Sequence, residues 1–292
     1  MYQRALICTD FTDGIYRLTA FIAELKAGGL RHLVFFHNVP IDEDRGIPRI
    51  DEEQVEACCN RLESSLPDLP DGITVEVKVE SGRVTDNILE VTKADEIDVV
   101  ILGAATRNVL QEQFFGSTTK ELLQKIPVPI LILRPQLISA YTAEELALRC
   151  CHLFRYFLLP YDDSDSAKFI VSRILEQLEA HPSGGLEKAL LLWVIDDSIR
   201  EELRAGMTPE TLQEPLDQTA QKLSAKQIEV KTEIQQGDPC AEILKAAEIH
   251  DISAIALSSG AKGWRRWSVP STTSAILRQS WHPVLVYPTA DS

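Results

Sequence analysis

The chain has 292 residues, 45% of them hydrophobic and 25% charged, which suffices for two ordinary globular domains and excludes a disordered polymer. A formal charge of −15 opposes the phosphate neutralisation on which duplex-coating proteins depend, so duplex nucleic acid is excluded as a partner. Apolar runs such as Val128 to Leu133 are far too short to span a bilayer, and Met1-Tyr2-Gln3-Arg4 leads straight into a strand-like run, so a cytoplasmic protein without a membrane partner is expected.

Ala5 to Cys8 reads as a buried strand. Ile15, Leu18, Ile22 and Leu25 then recur at helical spacing, Gly28-Gly29 supplies a stop, and "HLVFFHNV" reads as a second buried strand. Val55, Cys58, Cys59 and Leu62 mark another helix. "ITVEVKVE" alternates as a half-exposed strand, "DNILEVTKAD" is a helix, "DVVILG" a strand, "TTKELLQKI" a helix and "PILIL" a last strand. "SAYTAEELALRCCHLF" has helical composition without Gly or Pro and predicts a helical connector.

Beyond the connector the plan repeats. "ALICTDFTD" returns as "FLLPYDDSD", pairing Asp10 with Asp162, and Gly82, Ile88 and Leu89 match Gly237, Ile243 and Leu244. Ser117-Thr118-Thr119 matches Ser271-Thr272-Thr273, and "PILIL" matches "PVLVY". Residues 1–138 and 154–292 are therefore expected to be two copies of one domain, joined by 139–153. Strands separated by helices of this length imply right-handed crossovers. The expected fold class is α/β, with two tandem doubly wound, mostly parallel five-stranded sheets covered by helices on both faces. Ligands of such sheets bind outside the carboxyl ends of the strands, near the switch point.

That rule directs attention to the loop after Gly103. Gly116, Ser117 and Thr118 open the next helix, whose N-terminus offers free N–H groups and a partial positive charge to a phosphate. Asp10, ending the first strand, would face the same crevice and could accept hydrogen bonds from a ribose or base. On the alternative reading Ser117 caps the helix and the two glycines serve turns. The six cysteines include two adjacent pairs and no C-x-x-C, so they suggest neither a zinc site nor a disulfide framework and are expected as small buried hydrophobes. His37 ends an apolar strand and reads as a hydrogen-bonded core histidine. Asp162-Asp163 and Asp196-Asp197 read as turns. No nucleotide-hydrolase, dehydrogenase, zinc-protease or serine-hydrolase motif is present, so a non-enzyme is expected.

The order of elements, the "TDFT" after the first strand, the "FFHNV" ending the second and the loop from Gly103 to Ser117 resemble the universal stress protein family, here as a tandem pair. The resemblance implies the adenine-nucleotide α-hydrolase-like (HUP) fold. Nucleotide-binding members of that family carry G-x2-G-x9-G-[ST]. Gly103 matches the first glycine, Gly116 the third and Ser117 the hydroxyl, while Thr106 stands in place of the second glycine. Carried over, Asp10 contacts adenosine, Asn38 offers a backbone contact to adenine, and the loop with Thr118 holds phosphates. Arg107 either adds a phosphate contact or is a surface arginine.

The second copy has Ser258, Ala261 and Pro270 in place of the three glycines, and brings Trp264 and Trp267 into the loop. Those tryptophans either fill a vacant pocket or pack at an interface, with base stacking as the remaining reading. The resemblance implies a stress-response regulatory module that binds ATP in its first domain, with Mg2+ only alongside nucleotide. The alternative is a ligand-independent scaffold. It also implies pairing of the two copies through "PILIL" and "PVLVY" as an intramolecular pseudo-dimer, with a homodimer beyond that left open.

Overall fold

The computed structural model describes residues 1–12, 14–41, 50–104, 117–181, 185–198, 208–259 and 272–289. They divide into two compact units, one of Tyr2–Cys151 and one of His152–Ser292 with Met1.

In the first unit β1 (Arg4–Cys8), β2 (His32–Val39), β3 (Thr74–Ser81), β4 (Val99–Gly103) and β5 (Ile130–Leu133) form a sheet in the order β3-β2-β1-β4-β5. Every pairing is parallel, with Leu6 opposite both Val34 and Val100. The inner strands are continuous apolar runs because helices cover both of their faces. β3, at the edge, alternates and is half-exposed along its length. The chain winds outward from β1 to β3 and then returns to β4, so the switch point lies between β1 and β4.

The periodic run after β1 buries the expected Ile15, Leu18, Ile22 and Leu25, but its first part, Ile15–Phe21, winds as a 3-10 helix before α1 (Ile22–Ala27). It starts from Gly14 at φ 73° with no side-chain cap, and the Arg17 N–H bonds back to the Gly14 carbonyl, at 3.0 Å. Its successors are α2 (Glu52–Glu63), α3 (Val84–Ala94) and α4 (Ser117–Lys125).

The stretch expected as a connector, 139–153, holds the end of α5 (Pro135–Ala140) and all of α6 (Ala143–Cys151), and both helices pack within the first unit. The Arg17 guanidinium donates to the carbonyls of Ile138 and, at 3.1 Å, Tyr141, satisfying the C-terminal end of α5. Gly28 lets α6 approach: a Cβ there would stand 2.6 Å from the Cys150 carbonyl oxygen.

The second unit repeats the plan with β6 (Tyr156–Pro160), α7 (Asp165–Ala180), β7 (Lys188–Asp196), α8 (Pro209–Ser224), β8 (Glu229–Gly237), α9 (Pro239–Ile249), β9 (Ala254–Ser258), α10 (Thr272–Gln279) and β10 (Val284–Tyr287). Its strands are ordered β8-β7-β6-β9-β10 and again pair in parallel. The repeat extends to backbone torsions. Phe11 and Asp163 are both left-handed, at φ 66° and 58°, as are Glu96 and Asp251, at 47° and 50°. In the latter pair the helix end closes on itself, Ile97 N–H bonding the Thr92 carbonyl and Ile252 N–H the Ala247 carbonyl, with both isoleucines buried.

One expectation needs correcting. Only Cys150 and Cys240 are buried; Cys8, Cys58, Cys59 and Cys151 are half-exposed, Cys58 and Cys59 because they lie on α2, whose one fully buried side chain is Leu62. No helix among the described residues is long and apolar enough to cross a membrane.

Candidate functional site

At the end of β1 the chain is held by a set of short bonds. Thr9 is buried, its N–H donates to the Phe36 carbonyl at 3.0 Å, and its own carbonyl accepts from His37 Nδ1 at 2.7 Å. That bond fixes His37 as a hydrogen-bonded core residue. Asp10 follows and is exposed. Its Oδ1 accepts the Thr12 N–H at 2.8 Å and the Thr12 hydroxyl at 2.9 Å, an Asx turn that orients the carboxylate at the carboxyl edge of the sheet. Phe11 takes its left-handed backbone inside this turn, and its ring lies 4.4 Å from His37. Arg61, from α2, places its guanidinium 4.2 Å from the Phe11 ring centre and 5.6 Å from that of Tyr16. Sequence reading missed this stack, whose members are joined by no spacing pattern.

Across the switch point, β4 ends at Gly103, opposite Leu133, and the Ala104 N–H bonds the Leu133 carbonyl at 2.8 Å. β1 pairs with β4 as far as Ile7 with Ile101, so Asp10 and Gly103 leave neighbouring strands on the same carboxyl edge. Asn38, near the end of β2, is half-buried. Its Nδ2 donates to the Gly82 carbonyl at 3.1 Å and its Oδ1 accepts from Asn87 Nδ2 at 2.8 Å. The side chain is thus committed internally. Thr118 is half-buried in the first turn of α4, beside a buried Thr119. Ser117 begins that helix. Thr106, Arg107 and Gly116 lie outside the described residues, as do Trp264 and Trp267.

Further along α4, Glu121 accepts from Lys125 Nζ at 2.7 Å, Arg83 Nη2 at 2.8 Å and Thr85 Oγ1 at 3.1 Å. The Lys125 bond, with help from Thr85 and Arg83, holds its carboxyl below the usual range. In the second unit Asp162 repeats the Asx turn, its Oδ1 accepting the Ser164 N–H at 3.1 Å. The strand end that matches Gly103 is a buried Ser258, and Ser259 beside it accepts the Thr289 N–H at 3.0 Å. Among the described residues no group of three or more His, Cys, Asp or Glu side chains is placed to hold a metal ion.

Two doubly wound parallel sheets in tandem, the first with an exposed aspartate and a glycine-ended strand on either side of its switch point, define a repeated α/β architecture. The universal stress protein family model matches residues 1–134 and again 154–288, and the chain belongs to that family. It is 24% identical over 141 residues to a universal stress protein of Thermus aquaticus, covering 46% of this chain and 100% of that one. A universal stress protein from Archaeoglobus fulgidus is similar in structure over 98% of this chain and 97% of its own, with TM-score 0.64 at 19% identity. A functionally unknown protein from Pseudomonas aeruginosa is similar over 98% and 92%, with TM-score 0.57 at 13% identity. At those identities the structural likeness speaks for the fold alone.

Proposed function

We propose that the protein is a stress-response regulatory module, not an enzyme, whose first unit binds one adenine nucleotide, ATP, outside the carboxyl ends of β1 and β4. The observation that carries this reading is the pairing of the oriented, exposed Asp10 carboxylate with the glycine end of β4 across the switch point. A carboxylate there accepts ribose or base hydrogen bonds, a strand end without a side chain leaves room for the ligand, and the start of α4 supplies N–H groups for phosphate. The reading is supported by Asp10, Asn38 and Gly103 standing at the carboxyl ends of β1, β2 and β4, with Thr118 in the first turn of α4. Ser117, Gly116, Thr106 and Arg107 complete the proposed phosphate loop. Mg2+ would arrive with the triphosphate, since Mg2+ is usually held by substrate phosphates and water.

The second unit favours a different role. The strand end matching Gly103 carries the buried Ser258 side chain, with Ser259 beside it bonded to Thr289, which supports one nucleotide per chain. Calorimetric titration with ATP and Mg2+ tests the reading. Saturable binding near one site per chain, lost in Asp10→Ala, is expected. No binding by the native protein, with binding gained in Thr106→Gly, would overturn it in favour of a ligand-independent scaffold.

A further inference from the structure

β3 is the outer strand of the first sheet, and among the described residues it pairs with β2 alone. The Thr74 N–H bonds the Arg31 carbonyl at 2.9 Å, so that residue turns its peptide groups toward β2. Peptide groups alternate in direction along a strand, which turns those of Glu76, Lys78 and Glu80 toward β2 as well. The N–H and C=O groups of Val75, Val77 and Val79 therefore point away from the sheet, and no described strand receives them.

Sheet edges are usually protected from further pairing by shortness, a proline, a bulge or a projecting lysine. β3 runs for 8 residues without proline, and its register with β2 is uninterrupted from Thr74 to Ser81, so it has no bulge. Its lysine is folded back, because Lys78 Nζ donates to both Asp95 carboxylate oxygens, at 2.8 and 2.6 Å, beyond the end of α3. α2 and α3 flank the edge without closing it. They leave a cleft of about 440 Å³ along Val77 and Val79, with Val55 and Cys59 of α2 and Val91 of α3 in its lining. Of these five side chains only Val91 is fully buried.

The side chains of β3 match a copy of themselves. With Val77 on a two-fold axis, antiparallel pairing sets Val77 opposite its counterpart and Val75 opposite Val79, so the outward peptide groups of both copies meet. Of the two-fold pairings that bring outward groups together, this alone sets all three valines against valines. Glu76 then stands opposite Lys78 on the other face. Both charges have partners in their own chain, His32 for Glu76 and Asp95 for Lys78, so the joint is not needed to satisfy either. What they set is the register. A slip of two residues puts Glu76 opposite Glu76 or Lys78 opposite Lys78, and a slip of one offers peptide groups already spent on β2. The matching edge of the second unit, β8, has Thr232 at the corresponding place, where Gln213 of α8 donates to its hydroxyl at 3.2 Å. The centre of that edge is polar where β3 has valine.

We propose that β3 is an interaction surface for a second copy of this chain, joined edge to edge and antiparallel about Val77. Such a contact is isologous and closes as a dimer. It lies on the side edge of the sheet and is independent of the nucleotide reading, which concerns the carboxyl ends of β1 and β4.

Sedimentation velocity of the full-length chain over a concentration series tests the assignment. A monomer–dimer equilibrium with a Kd of about 10 µM or tighter is expected. Val77→Pro removes an N–H that only the second copy would use and leaves the bonds to β2 in place, so it should weaken the dimer about a hundredfold. Glu76→Lys and Lys78→Glu each set like charges opposite one another, and each should weaken self-association about tenfold. Mixed in equal amounts, those two variants again present opposite charges across the joint, and a heterodimer should form with near-native affinity. Thr232→Pro, on the edge of β8, should leave the equilibrium unchanged. Melting curves report whether each variant is folded; if Val77→Pro unfolds, the mixing experiment decides. A chain that stays monomeric at every concentration, a dimer that survives in folded Val77→Pro, equal loss in Thr232→Pro, or charge variants that do not recover on mixing overturns the proposal.

Discussion

Asp10 and Thr12 make the proposed site of the first unit depend on a three-residue turn. Thr12 binds the Asp10 carboxylate through both its backbone N–H and its hydroxyl. Thr12→Val keeps the first bond and removes the second. It is expected to weaken ATP binding by less than about tenfold, where Asp10→Ala abolishes it, and parallel titrations separate the two. Cys150 gives a prediction about pH. Burial pushes its thiol from 9.0 up to about 12, with the neighbouring Glu24 adding to the rise. A raised folded value means that the stabilising difference is whole below about pH 9, the value for the unfolded chain, and is lost as pH climbs toward 12. Denaturant midpoints of the native chain should therefore fall more steeply over that alkaline window than those of Cys150→Ala. The position of Asp10 could be read from the sequence, because an acidic residue directly after an apolar run lands at a strand end. The left-handed Phe11 could not, since an aromatic residue carries no preference for that conformation. Arg61 was equally hidden, being brought to Phe11 by the packing of α2.

At the level of elements, polar caps decide where several helices begin. Ser164 accepts the Ala167 N–H at 3.2 Å at the start of α7, and Asp238 accepts the Ala241 N–H at 2.8 Å at the start of α9. Ser164→Ala should cost about 1 kcal/mol in chemical denaturation, and an unchanged midpoint would show that water replaces the cap. Asp98 has a similar duty toward a strand: its Oδ2 accepts the N–H groups of Gln3 and Arg4, at 2.8 and 2.9 Å. Asp98→Ala leaves two part-buried donors without that acceptor and should destabilise by about 1–3 kcal/mol. The Gly28 contact between α1 and α6 predicts that Gly28→Ala lowers the melting temperature by several degrees, because the obstacle is a backbone carbonyl and not a movable side chain. Helix and strand identities followed from apolar periods of 3.6 and 2, which are local properties. The 3-10 winding of Ile15–Phe21 did not, since it leaves the same residues buried and differs only in how the backbone bonds.

For the molecule as a whole, a ligand bound by the native state alone raises stability in proportion to the logarithm of its concentration over Kd. ATP at about a hundred times Kd should therefore raise the melting temperature by a few degrees. Asp10→Ala should remove that rise and Asp162→Ala should leave it, whereas equal loss in both variants would point to a nucleotide in each unit. The sequence by itself determined the α/β class, the twofold repeat, the strands and helices of each unit and the edge on which Asp10 and Gly103 stand. These depend on side-chain pattern over a few residues and on the handedness of crossovers. Only the tertiary structure decided that α5 and α6 fold onto the first unit, that the side chain of Asn38 is spent on Gly82 and Asn87, and that α2 and α3 leave the outer edge of β3 open. Each of these turns on which distant side chain reaches a given point in space, and close packing settles that only once the elements have docked.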